Sequence, residues 1–72
     1  MKIKYDPSVD ILMIVLREGQ YAISEEVALD MIVDLDEQGA PLRIEILNAR
    51  QLLDIEDALK LEVMPVILNQ PV

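Results

Sequence analysis

Cysteine, histidine, tryptophan and phenylalanine are all absent from this sequence of 72 residues. Without cysteine or histidine the chain has no disulfide, no thiol nucleophile and no ordinary zinc site. Two tyrosines are the only aromatic residues, so we expect no stacking surface for bases. Six basic residues stand against fourteen acids, a net charge of −8, which repels a nucleic-acid backbone. The composition therefore predicts no cofactor and no nucleic-acid partner.

Long hydrophobic runs are also missing. The longest apolar run, residues 11–16, is far shorter than the roughly 20 residues that span a bilayer. The first seven residues contain two lysines and a charged turn but no apolar core of an export signal. We therefore expect no membrane association and a cytoplasmic location.

The length permits a single domain, residues 1–72, with a core that is small for its surface. Short segments of alternating or continuous apolar residues occupy residues 2–47 and predict strands. In residues 10–17, apolar side chains occupy both odd and even positions and so both faces of a strand, which indicates an interior strand. We expect hairpins between strands two and three, around Gly19, and between strands four and five, around Gly39. The predicted fold is α+β: a four- or five-stranded antiparallel β-meander with one C-terminal helix packed on one face.

The sequence period changes after Leu47. Asn48 and Gln51 have the spacing of a capping box, which predicts a helix from about residue 49 to residue 62. Asp54 offers a second start, so this stretch is either one helix or a short turn followed by a longer helix. Pro65 ends any helix, and residues 63–72 form an apolar tail.

Acidic residues are concentrated in one part of the chain. Residues 18–37 contain seven acids and no base. One interpretation is a charged sheet edge that resists pairing with stray strands. The other is a docking face for a basic protein, with Glu25, Glu26 and Asp30 as the partner-binding residues.

A calcium-loop pattern is also present, because Asp34, Asp36, Gly39 and Glu45 fall at EF-hand spacing. Both flanks alternate with period two, however, and this pattern favours two strands and a turn over an EF-hand. Asp34, Asp36 and Glu45 therefore remain candidates only for weak binding of a divalent cation.

Catalytic residues are not evident in the sequence. Paired acids are expected from the composition alone, and neither Ser8 nor Ser24 has a histidine base. We therefore predict a protein that is not an enzyme.

Several segments together resemble the small prokaryotic family known as domain of unknown function 2283. The resemblance covers residues 1 to about 53 and is most specific at the Val-Asp-x-Asp-x-x-Gly segment and the Ile-Glu-Ile-Leu-Asn-Ala segment, residues 33–39 and 44–49. It implies a curved antiparallel sheet with a C-terminal helix and no known catalytic residues. Some members resemble components of toxin–antitoxin pairs. Asp30 and Arg43 stand where the family often has glycine.

These observations predict a protein-interaction module, in an antitoxin-like role that suits its acidity. The alternative is a small ligand-binding or divalent-cation-binding protein that uses the Asp34 and Asp36 hairpin. Because one helix cannot cover two apolar sheet faces, we also expect a homodimer or higher homo-oligomer. This assembly would bury Ile11, Met13 and Val15, or the apolar tail.

Overall fold

The structure is a computed structural model, and it describes residues 1–54. These residues form five antiparallel strands and one short helix. Their order across the sheet is β1-β2-β5-β4-β3. The antiparallel sheet is thus confirmed, with five strands. The elements are β1 (Lys2–Asp6), β2 (Ile11–Val15), β3 (Tyr21–Ala28), β4 (Met31–Asp36), β5 (Pro41–Ile46) and α1 (Ala49–Leu52).

The connection between β2 and β3 differs from the predicted hairpin, so the simple meander is wrong. β2 pairs with β5, with Leu12 opposite Ile46 and Ile14 opposite Ile44, whereas β3 lies at the far edge beside β4. An apolar strand is stable between two neighbours, and β1 and β5 supply them. The chain leaves β2 along β5, because the backbone N–H of Leu16 donates to the Leu42 carbonyl at 2.8 Å.

The predicted hairpin between β4 and β5 is confirmed. Gly39 has φ +79°, the left-handed conformation that glycine adopts without strain. The Gly39 N–H donates to the Asp36 carbonyl, and the Asp36 N–H donates to the Ala40 carbonyl, both at 3.0 Å. This pattern is that of a type I turn followed by a glycine bulge. The Asp36 carboxylate also accepts the N–H groups of Gln38 and Ala40 at 2.9 Å.

One face of the sheet, here called the core face, holds the main hydrophobic cluster. Leu12, Ile46 and Ala49 are buried there. The partly buried residues packed against them are Tyr5, Met31, Ile44 and Leu53. Ala49 of α1 and Leu53, the residue that follows the helix, pack against this cluster, so only one short helix represents the predicted helix on this face within residues 1–54.

The helix begins at the predicted position and ends early. α1 stops at Leu52, and Leu53 is extended, so one continuous helix from residue 49 to residue 62 is wrong. The first part of the alternative, a short turn before a longer helix, agrees with the four residues of α1. The rest of that prediction and the apolar tail lie outside the described residues. Within residues 1–54, no helix is long and apolar enough to cross a membrane.

The helix cap also differs from the predicted capping box. Asn48 has φ +49° and its side chain makes no capping hydrogen bond. The Asp10 carboxylate takes this role instead, accepting the Arg50 N–H at 3.2 and 3.3 Å. Asp10 also accepts the Tyr5 hydroxyl at 2.7 Å. A residue 40 positions away in the sequence thus caps α1.

Three aspartate or asparagine residues in the left-handed conformation meet at this end of the sheet: Asp10, Asp30 and Asn48. The Asp30 carbonyl accepts the Leu47 N–H at 2.8 Å, and its carboxylate accepts the Asn48 amide at 3.2 Å. Short polar side chains tolerate this conformation best among non-glycine residues. A left-handed turn therefore explains why a glycine suits the position of Asp30.

Candidate functional site

The acidic residues of segment 18–37 lie on the edge strand β3, on its neighbour β4 and in the connections beside them. β3 pairs only with β4 among the described strands. All eight of its residues are exposed. Its outer row of backbone N–H and C=O groups has no strand partner within residues 1–54, and such a row is a template for strand pairing.

Large apolar side chains accompany the acids on this edge. Tyr21, Ile23 and Val27 of β3 are 50%, 54% and 53% exposed, and Leu29 in the following turn is 77% exposed. A long exposed edge strand with apolar side chains favours association with another chain. This edge, residues 21–28 with its exposed side chains, is the candidate site and is called the β3 edge below.

The predicted partner-binding residues do not share one surface. Glu25 lies opposite Val33, and Glu26 lies opposite Ile32, so the two carboxylates point to opposite faces of the sheet. Asp30 is half-buried and holds the turn through Leu47 and Asn48, as described above. Glu25 and Glu26 therefore lie on the exposed edge strand, whereas Asp30 has a structural position.

The face opposite the core face, here called the arginine face, carries a hydrogen-bonded side-chain network. Arg43 Nε donates to Asp34 Oδ2 at 2.5 Å, and Ser24 Oγ donates to Asp34 Oδ1 at 2.6 Å. The Tyr21 hydroxyl lies 2.8 Å from Ser24 Oγ. Asp34 is 6% exposed, and both of its carboxylate oxygens are used. The network fastens β3 to β4 and β5, and only the pairing register, not local sequence spacing, brings its members together.

A second ion pair secures the hairpin turn. The Arg17 guanidinium donates to Asp36 Oδ2, and the Ala40 and Gln38 N–H groups donate to Oδ1. The Ala40 N–H and, next, the Arg17 guanidinium lower the pKa of Asp36 below its ordinary value of 3.8. Asp36 thus stays ionised as a structural residue of the turn.

The cation-binding candidates are not brought together. Asp34 and Asp36 have arginine partners, and Glu45 lies between Met13 and Ile32 in the strand pairing. Within residues 1–54 there is no group of three acidic side chains arranged to hold a metal ion. The hairpin carboxylates organise the turn and the sheet instead.

An apolar strip crosses the arginine face at its other end. Ile11, Met13 and Val15 of β2 are half-buried and share this face, since Val15 lies opposite Arg43 and Met13 opposite Glu45. A cavity of about 330 Å³ lies beside β1 and is lined by Lys4, Tyr5, Asp6, Val9, Ile11 and Met13. This strip is the surface that the sequence predicted as an oligomer contact.

Together these features define a small antiparallel sheet whose edge strand carries both apolar and acidic side chains and whose two ion pairs support the fold. The family model of the proteins of unknown function DUF2283 matches residues 2–50, and the chain belongs to this family. The match covers all five strands and the start of α1, which confirms the resemblance found in the sequence. No curated protein and no solved structure matches the chain.

Proposed function

We propose that this protein is a non-enzymatic protein-interaction module whose β3 edge binds a basic protein. The observation that supports this most directly is the β3 edge itself. It is the longest strand of the described sheet, it is exposed along its whole length, and it combines apolar side chains with two adjacent acids. Strand edges of this kind are used for peptide and protein recognition.

The charges at the edge favour a basic partner. Within residues 1–54 there are two salt bridges, and they join Arg17 to Asp36 and Arg43 to Asp34. Neither includes Glu25 or Glu26. These two carboxylates lie on the exposed strand without a positive partner in the described part of the chain, so an incoming lysine or arginine would complement them.

The protective interpretation of the acidic edge agrees with this proposal. Like charges facing each other across two strands are unfavourable, whereas opposite charges are favourable. Glu25 and Glu26 therefore repel acidic strands and attract basic ones. The same two residues would provide both protection and selectivity.

An antitoxin-like role, in which this acidic chain neutralises a basic toxin protein, is the specific form of the proposal. Its support is the charge of the chain, −8, and the location of uncompensated acids on an exposed edge. In this role the partner gains stability or loses activity when its basic surface is covered.

Capture from extract of the native cell tests the proposal, with the basic proteins that bind identified by mass spectrometry. The test variant is Glu25→Gln with Glu26→Gln. The matched control is Glu18→Gln with Glu37→Gln, which changes the net charge equally beyond the Tyr21 end of β3. We expect the same basic protein on the wild-type and control chains and its loss from the test variant. Equal capture by both variants would contradict the proposal.

We also propose that the chain forms a homodimer or higher oligomer through the apolar strip of Ile11, Met13 and Val15. Its support is that these three apolar side chains are only half-buried within the chain. Sedimentation at high micromolar concentration is expected to show a species larger than the monomer, and Met13→Lys should reduce it. A wild-type monomer under these conditions would contradict this proposal.

A further inference from the structure

We infer that the β3 edge binds its partner by strand addition and selects an extended segment with two consecutive basic residues. This inference rests on the proposed function and adds the geometry of the bound segment. It follows from the positions of Ile23, Glu25 and Glu26 on the strand and from the charge of their side chains.

On its outer side, which no strand of residues 1–54 covers, the β3 edge has one regular stretch between two irregularities of its pairing with β4. The pairing of β3 with β4 shifts between Tyr21 and Ile23 and again between Glu26 and Ala28. Bulges of this kind twist an edge and limit unselective pairing. The regular stretch between them is residues 23–26, and its outer hydrogen-bonding groups are the ones that an added strand would use.

Side-chain direction then fixes the pattern of the added segment. In an antiparallel pair, directly opposite residues lie on the same face of the sheet. Because Glu25 points to the core face and Glu26 to the arginine face, pairing both requires basic residues at two successive positions. Ile23 shares the core face with Glu25 and lies two positions away, so an apolar residue is expected opposite it.

The order in the partner is therefore basic, basic, any residue, apolar, written from its N-terminus to its C-terminus. The antiparallel direction is favoured because antiparallel pairs are slightly more stable per residue. Two basic residues at alternate positions would lie on one face and could pair with only one of the two glutamates. Spacing, and not charge alone, is thus the selected feature.

A second copy does not supply the complementary charges either. A two-fold axis perpendicular to the sheet at Glu25 would place two Glu25 side chains directly opposite each other, which is unfavourable. An axis at Ser24 would place Glu25 opposite Ile23 and leave both glutamates without a positive partner. The other sheet edge, β1, carries Lys2 and Lys4, but these alternate along the strand and share one face. Neither edge of a second copy therefore provides consecutive basic residues.

The test is an NMR titration of the full chain with blocked synthetic peptides. The probe contains arginine, arginine, threonine and valine in that order, flanked by threonines. The control has the same composition with the order arginine, threonine, arginine, valine. We expect the probe to shift the amide signals of β3 and to bind roughly 1.5- to 5-fold more tightly than the control, which is the worth of one cross-strand charge pair.

Three further comparisons separate strand addition from attraction by charge. In a third peptide, the backbone amides that link the residues from the first arginine to the valine are N-methylated. This change keeps the charge of the probe but removes hydrogen-bond donors, so this peptide should bind at least about tenfold more weakly than the probe. Glu25→Gln with Glu26→Gln should weaken binding of the probe roughly 2- to 30-fold, since two charge pairs are lost. Glu18→Gln with Glu37→Gln should change it by less than about twofold, because Tyr21 to Glu25 spans more than the Debye length of about 8 Å.

Equal binding of the probe, the rearranged control and the N-methylated peptide would overturn strand addition while leaving a basic partner in place. Failure of every peptide to bind would also overturn it. In that case the capture experiment decides the proposed function separately. Concentration-dependent shifts of β3 without any peptide would assign the edge to a second copy and overturn the inference.

Discussion

Replacing Asp10 with alanine should destabilise the fold far more than its turn position suggests. The Asp10 carboxylate joins three parts of the chain, since it accepts the Tyr5 hydroxyl at 2.7 Å and the Arg50 N–H at 3.2 and 3.3 Å. Its own residue is left-handed, with φ +56°. Asp10→Ala removes the cap of α1, the partner of Tyr5 and the polar side chain that tolerates this backbone conformation.

The magnitude can be assembled from these contacts. Loss of a helix N-cap costs about 1 kcal/mol, and loss of a part-buried hydrogen bond to a charged group about 1.5 kcal/mol. The expected loss for Asp10→Ala is therefore about 2 to 3 kcal/mol. In a domain of this size that corresponds to a fall in Tm of roughly 10 to 20 °C.

Urea unfolding followed by circular dichroism measures this loss. Asp6→Ala is a matched control, because Asp6 ends β1 next to the same turn and its carboxylate accepts from Ser8 within that turn, so we expect a clearly smaller loss than for Asp10→Ala. A double-mutant cycle with Tyr5→Phe should give a coupling energy of about 1 kcal/mol. A loss for Asp10→Ala no larger than for Asp6→Ala, or zero coupling to Tyr5, would refute the reasoning.

Three other predictions concern the turns. Gly39→Ala should lower the free energy of unfolding in urea by about 1 kcal/mol, and Gly39→Asn should lower it less. An added Cβ meets nothing within 4 Å, so only the left-handed backbone is strained. Equal losses for the two variants would contradict this. Asp30→Gly should change the free energy of unfolding by less than about 1 kcal/mol, whereas Asp30→Val should lower it by about 2 kcal/mol or more. An Asp30→Val variant as stable as the wild type would contradict this. Because the pKa of Asp36 is lowered from 3.8, its contribution to stability is present above that pH and lost as the pH falls through the lower folded value. Asp36→Asn should flatten the stability–pH curve in this acid window, Arg17→Met should raise the carboxyl pKa seen by NMR, and an unchanged curve would contradict the assignment.

The local features of the sheet were predictable from the sequence. Aspartate, glycine and two alternating apolar stretches are enough to define the β4–β5 hairpin, because a left-handed glycine fixes the turn and the alternation fixes the faces. The strongly acidic edge followed from placing strands three and four side by side. The family resemblance, carried by the same hairpin and by residues 44–49, is also confirmed.

Features that depend on distant residues were not predictable in the same way. Gly19 suggested a tight turn after β2, but the choice between β3 and β5 as a neighbour depends on packing across the whole sheet. The cap of α1 comes from Asp10, because Asn48 is left-handed and its side-chain amide donates to Asp30 instead of capping the helix. The Asp34, Arg43 and Ser24 network likewise exists only through strand register.

Amide hydrogen exchange of the full chain, with and without the peptide that carries two consecutive arginines, tests the central claim most directly. Strand addition should slow the exchange of the outward-directed amides among residues 23–26, which are the ones not hydrogen-bonded to β4, and leave the opposite edge, β1, unchanged. The Glu25→Gln, Glu26→Gln variant should show little of this protection. Protection of β1, or binding without any protection of β3, would contradict the assignment of the β3 edge as the partner-binding site.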